Sequence, residues 1–136
     1  MFKMIKKWSK SWNSASQPRK QRKYLYNAPL HIKHKLCNVA LSKDLKKEHN
    51  ARSIPVRKGD TVKIMTGSFK EKTGKVSKVS LIRTKVFVEG AAVKRRDGTE
   101  SLYPIHPSNV MITKLDLSDK KRAESLSRFK AKEAKK

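Results

Sequence analysis

The chain has 136 residues, with 35 Lys and Arg against 11 Asp and Glu and a formal net charge of +24. Only 36% of it is hydrophobic, so one small domain with solvated or partner-bound extensions is expected, and two full domains are excluded. A single cysteine excludes an internal disulfide framework, no apolar run approaches the roughly 18 residues of a membrane span, and the basic start MFKMIKKWSK leads into no apolar core of a secretory signal.

The charge is uneven. Residues 1–58 hold 16 Lys and Arg against two acids, residues 59–115 hold 11 against 5, and residues 116–136 hold 8 against 4. A like-charge excess of this size repels itself, and the partner that relieves it is a polyanion. Residues 1–26 mix Lys, Arg, Ser and Gln with scattered Trp8, Trp12 and Tyr24 and show no sustained period. They read as a basic arm, disordered when alone. Residues 27–54 read as a short helical segment. Asn27 is placed to cap a helix with Pro29 in its first turn, and Leu30, His34, Cys37 and Leu41 share a stripe running to residue 41. Ser42 is placed to cap a second helix over 43–48, and Asn50 to stop it.

Residues 55–115 read as strands. Residues 61–65 alternate, with Val62 and Ile64 on one face. A loop at 67–73 leads to strands over 74–81 and 85–89, with Phe87 and Val88 as core. Asp97-Gly98 signals a turn, and strands over 101–105 and 110–113 flank His106-Pro107-Ser108-Asn109. Five short strands with turn punctuation predict a small all-β barrel. From residue 116 the pattern turns helical, with Ser118 or Asp116 as the cap and Ala123, Leu126 and Phe129 as a weak apolar stripe. Residues 116–136 form this charged helix or tail.

Residues 56–76 read VRKGDTVKIMTGSFKEKTGKV. Gly59-Asp60 turns the chain into the first strand, Gly67 permits a tight bend, and Lys70, Lys72 and Lys75 crowd the loop and its exit. Gly74 removes a side chain where a backbone or ligand must come close. This order resembles the KOW motif, with Glu71 where a Gly is usual. The flanks QPRKQRKYLYNAPLHIKHKL (17–36), LSKDLKKEHNARSIPVRKGD (41–60) and YPIHPSNVMITKLDLSDKKR (103–122) resemble, in order and spacing, the KOW-domain protein family of the large ribosomal subunit. That is universal family twenty-four, twenty-six in eukaryotic naming, and the PRKQRK arm and Gly59-Asp60 look archaeal in type. The resemblance covers roughly residues 17–122.

The resemblance implies a mainly β fold: a small SH3-like β-barrel, the KOW module, with a partly helical basic arm and a helical tail. It implies a structural, non-enzymatic protein that binds large-subunit ribosomal RNA near its 5′ end and joins early in subunit assembly. It also implies a cytoplasmic location in the large subunit near the peptide exit tunnel, with other large-subunit proteins as neighbours.

Particular residues suit RNA. Arg19, Arg22, Arg52, Arg95 and Arg96 offer forked guanidinium groups to phosphate oxygens. Lys20, Lys23, Lys33, Lys35, Lys58, Lys70, Lys72, Lys75 and Lys94 act as flexible point charges that release counterions. Trp12, Tyr24 and Tyr26 can stack on unpaired bases. Asn27, His31, His34, His106, Ser108 and Asn109 can reach sugar hydroxyls and base edges.

Other classes are weaker. His31, His34, Cys37 and His49 lack a second paired cluster, so no metal is expected. His106 near Ser108 lacks a third orienting group, so no enzyme is expected. No phosphate-binding loop or dinucleotide fingerprint is present, and no cofactor, small-molecule substrate or membrane partner is expected. The remaining alternative is a KOW-type transcription or chromatin factor that binds nucleic acid. Such a factor is expected to carry another folded domain before the KOW module.

Overall fold

A computed structural model describes the backbone of residues 7–133 and the side chains of residues 7–128. The basic start at residues 1–6 and the side chain of Phe129 lie outside them. Among the described residues eight strands form, where the pattern predicted five. They are β1 (Asn38–Leu41), β2 (Ser53–Pro55), β3 (Thr61–Ile64), β4 (Thr73–Ser80), β5 (Lys85–Val88), β6 (Ala92–Lys94), β7 (Glu100–Leu102) and β8 (Val110–Lys114). Six make one sheet in the order β2-β1-β8-β3-β4-β5, and β6 and β7 form a separate hairpin. The β1–β8 pair is parallel and the other ladders are antiparallel.

Alternation drives this sheet. Val39 and Leu41 of β1, Val62 and Ile64 of β3, Val86 and Val88 of β5, and Val110 and Ile112 of β8 are all buried. Their neighbours along each strand are half or fully exposed. The pairs Val62↔Ile112 and Ile64↔Val110 bring β-branched side chains directly opposite each other, which stabilises the sheet through packing. Val88 is core as expected, and Phe87 is half-buried.

The expected closed barrel is not what the pairing shows. Register shifts in the β3–β8 and β4–β5 ladders bend the sheet, as bulges do. Its outer strands β2 and β5 nevertheless remain edges, and β5 gains only the isolated bridge Val86↔Ile105. The reason is length. Residues 89–106 go into the β6–β7 hairpin rather than into a strand that could close the ring. The two extra sheet strands, β1 and β2, come from the segment read as helical.

That segment differs most from expectation. The helix expected over 27–41 is α2 (Leu30–Leu36) followed by β1, because after Cys37 the apolar period becomes two. Asn27 caps nothing there. It is the last residue of α1 (Pro18–Asn27). Leu30 is exposed and outside any stripe, whereas Cys37 and Leu41 are buried. The second helix is as read: α3 (Lys43–His49) is capped by the Ser42 hydroxyl, which accepts from Leu45 N–H at 3.4 Å. Asn50 ends it in the left-handed region, with φ 51°. The arm read as disordered contains a 3-10 turn (Lys10–Ser14) and α1. Pro at the start and a run of Lys, Arg and Gln are good helix material. The Trp8 indole donates to Tyr24 O at 3.1 Å and its ring lies 5.3 Å from that of Tyr24, folding the arm on itself.

The last helix, α4 (Lys120–Glu133), is capped by neither Ser118 nor Asp116. Asp119 Oδ1 accepts from Lys121 N–H at 3.0 Å, the geometry of an N-cap. Asp116 instead accepts from the hydroxyl and N–H of Ser118. Ala123 is exposed, and the buried face carries Arg122 and Leu126, one turn apart.

Arg122 meets the fold's one fully buried carboxylate among the described residues. Asp60 and Arg122 are 0% and 4% exposed. Two parallel bonds join them, at 2.6 and 2.7 Å. Asp60 also accepts from the N–H groups of Arg57 (2.9 Å) and Asp116 (3.0 Å). Arg122 donates further to Asp116 O at 2.9 Å and Pro55 O at 3.4 Å. The carboxylate thus has four donors, which is what makes a buried charge tolerable. Arg57 pairs in turn with Asp119. The Arg57 hydrogen bond, followed by that from Lys121 N–H, holds the Asp119 carboxyl below the usual carboxylate range.

Two glycines serve this arrangement. Gly59 has φ +95°, and a Cβ there would sit 2.7 Å from Asp116 Oδ2. A Cβ on Gly74 would strike the Glu89 carbonyl and stand 2.9 Å from Val88 Cγ1, so Gly74 admits the neighbouring strand rather than a ligand. In the β3–β4 loop, Glu71 itself holds φ 70°, a backbone region that strains a side chain.

Arg122→Ala leaves Asp60 buried and uncompensated, and should cost about 3–5 kcal/mol, a large part of a small domain's reserve. Urea unfolding should show a midpoint shift of that size with an unchanged slope. Glu71→Gly should raise stability by about 1 kcal/mol by relieving the left-handed backbone, read as a higher melting temperature.

Candidate nucleic-acid interface

The cations named from sequence fall into separate patches. The first is α1. Arg19, Lys20, Arg22 and Lys23 are all exposed, and no acid stands in the first turn. Cations there oppose the helix dipole, so nearby phosphates would relieve both the charge and the dipole. Lys23 Nζ lies 5.2 Å from the Trp12 ring centre, and Lys20 lines the same hollow of about 330 Å³. Tyr26 is 84% exposed. Tyr24 is committed to Trp8, and Asn27 is half-buried at the helix end.

The second patch surrounds α2 and α3. His31 and Lys35 are exposed, and His34 is half-buried. Lys33 is turned inward: its ammonium donates to Tyr26 O at 3.1 Å, joining α2 to the end of α1. Arg52 is exposed beside Lys46 and Lys47. Those two lysines were missed in the sequence. The signal was Asn50, whose left-handed turn folds Arg52 back onto the last turn of α3.

The third patch is divided by β3. Lys58 precedes β3, and Lys75 is opposite Thr61 at the same end. Its charge helps keep the Asp116 carboxyl low, after the hydrogen bonds from Ser118 and the charge of Arg122. Lys70 and Lys72 are exposed at the other end, so Lys75 does not crowd the loop with them. Beside Lys70 and Lys72 stand His106, Ser108 and Asn109, for Asn109 O accepts from Met65 N–H at 2.8 Å. His106 Nδ1 accepts from Ser108 N–H at 3.2 Å and meets the Ser108 hydroxyl at 2.8 Å. Phe69, which the sequence leaves balanced between barrel packing and RNA contact, and Tyr103, which it leaves unassigned, are also here, with ring centres 5.4 Å apart.

The fourth patch is the β6–β7 hairpin. Lys94, Arg95 and Arg96 are exposed on it. Asp97 ties its turn: the hydroxyl and then the N–H of Thr99 hold the Asp97 carboxyl low. Arg95 donates to Ser101 Oγ at 3.3 Å.

Cys37 is buried, and burial pushes its thiol up, away from the reactive thiolate. Among the described residues no group of three His, Cys, Asp or Glu is arranged to hold a metal ion. None of their helices is long and apolar enough to cross a membrane.

A family model for the ribosomal proteins called L26 in eukaryotes and L24 in archaea matches residues 15–129. That span takes in α1, the whole sheet and most of α4, and the chain belongs to this ribosomal protein family.

Proposed function

We propose that the chain is a structural protein of the large ribosomal subunit that binds large-subunit ribosomal RNA. The observation that carries this reading is the family match over residues 15–129, in a chain whose net charge is +24. On this reading the bent sheet is the KOW module, SH3-like in kind though open at β2 and β5. It docks on folded RNA near the 5′ end of the large-subunit molecule, early in assembly and near the peptide exit tunnel, in the cytoplasm. Neighbouring large-subunit proteins complete its surroundings.

The mechanism is ionic and divided between the parts. Patches on the sheet and hairpin carry their cations on backbone that is set before binding. The arm contributes eight Lys and Arg within residues 1–26. Each cation that neutralises a phosphate releases condensed counterions, and affinity falls accordingly as salt rises. Lys33 is left out of this interface because its ammonium serves the fold. Arg19, Arg22, Arg52, Arg95 and Arg96 are exposed and suit bidentate phosphate contacts.

Co-sedimentation with large subunits that survives high salt tests the assignment. Association with polymerase or DNA alone would favour a transcription or chromatin factor. Deleting residues 1–26 should leave the sheet folded by circular dichroism and flatten the dependence of RNA affinity on salt. A slope equal to that of the full chain would defeat the arm's role. Arg95→Ala with Arg96→Ala should lower that slope by about 1–2 with little change in melting temperature.

A further inference from the structure

We propose that the end of the sheet bearing Phe69 and Tyr103 is a preformed seat for one unpaired RNA base, stacked on Tyr103. The proposal rests on the RNA-binding reading above and names what this end of the module takes. Tyr103 is 47% exposed although its ring already packs on Phe69. The two rings are tilted 48° to each other and line a hollow of about 210 Å³ with His106 and Asn109 at its rim. That is smaller than the roughly 300–1,000 Å³ typical of drug-sized ligand pockets, and suits one planar ring.

The seat is held in place. Tyr103 N–H donates to Ala91 O at 2.8 Å, and Ile105 exchanges both backbone bonds with Val86 at 2.8 and 2.9 Å, with Pro104 between them. The facing loop is closed by Glu71 N–H to Ile64 O at 2.8 Å and Ile64 N–H to Lys72 O at 2.9 Å. Little ordering is therefore needed on binding. The surroundings select a nucleotide over an uncharged aromatic. Lys85 lines the hollow and no acid does. Lys72 Nζ lies 5.2 Å from the Phe69 ring centre, so cations flank the place where the phosphates on either side of a stacked base would pass. The carboxamide of Asn109 and the imidazole of His106 offer hydrogen bonds to a base edge. A paired base shows no free face to Tyr103, so the site selects single strands, loops or bulges.

The test uses the full chain and a short oligouridine carrying one fluorescent adenine analogue, with a fully paired RNA hairpin of equal length as the control. Binding should quench the analogue. Tyr103→Leu should weaken single-strand binding about tenfold and abolish the quenching, at an unchanged salt slope, while Tyr103→Phe keeps both. In the unaltered chain, photocrosslinking from a halogenated uridine should mark the peptide containing Tyr103, a readout independent of the variant's folding. Equal affinity for Tyr103→Leu, equal losses on paired and unpaired RNA, or crosslinks confined to the arm would each overturn the site. Large-subunit RNA measured in parallel separates the two readings. If the unaltered chain binds it while Tyr103→Leu loses nothing on the oligouridine, the base site alone fails. If the unaltered chain does not bind it, the ribosomal reading fails, whatever the oligouridine shows.

Discussion

One buried ion pair ties the molecule together. Asp60 sits at the entrance to β3, Arg122 on α4, and the carbonyl of Pro55 at the end of β2 accepts from the same guanidinium. Asp116, in the linker between β8 and α4, both donates to Asp60 and accepts from Arg122. Two stretches far apart in sequence, residues 55–60 and 116–122, thus meet at two charged groups. Taking both charges out of water is costly, and the cost is met only because nearly every lone pair and proton has a partner. The geometry also explains the glycine before Asp60: a larger residue would meet the Asp116 carboxylate. In a chain so rich in positive charge, an acid placed at a point of closure is a scaffold element, whereas most of the cations stay outside.

That division between scaffold and surface organises the binding reading. Beside the sheet, Lys70, Lys72, His106 and Asn109 stand on backbone held by hydrogen bonds. The arm holds Arg19, Arg22 and Tyr26 on a helix whose main support is the Trp8–Tyr24 contact. On the proposed reading the first surface is ready before RNA arrives. The second, α1, buries none of its residues, and on the same reading it would gain support from the partner, part of the interaction energy offsetting ordering.

The sequence was informative where periodicity and spacing were strong. The alternation of Val62 and Ile64, the Ser42 cap and the Asn50 stop can all be read from local chemistry, because each acts within a few residues. The motif around Gly59-Asp60 and its flanks pointed to the family. What was hidden depended on long-range partners. Residues 38–41 are too short to declare themselves, and become a strand only because β2 and β8 lie on either side. The hairpin strand β6 carries too few apolar residues to signal a buried face, whereas β7 overlaps the strand expected over 101–105. Arg122 reads as one more surface cation until Asp60, 62 positions earlier, is placed beneath it. Likewise Lys33 reads as an RNA contact until its carbonyl partner is seen, and Tyr103 as an ordinary strand residue until the loop bearing Phe69 comes alongside.

The position of β8 in the sheet bears on biogenesis. It lies between β1 and β3, yet it comes from the last third of the polypeptide. As translation proceeds, β1 and β2 emerge first and can form only a two-stranded ribbon, which is marginal in water. The strands β3 to β5 follow as a second unfinished piece. Neither piece finds its neighbour until residues 110–114 are made, and the salt-bridge closure waits for residue 122. Vectorial synthesis therefore delivers the basic arm well before the scaffold beside it is complete.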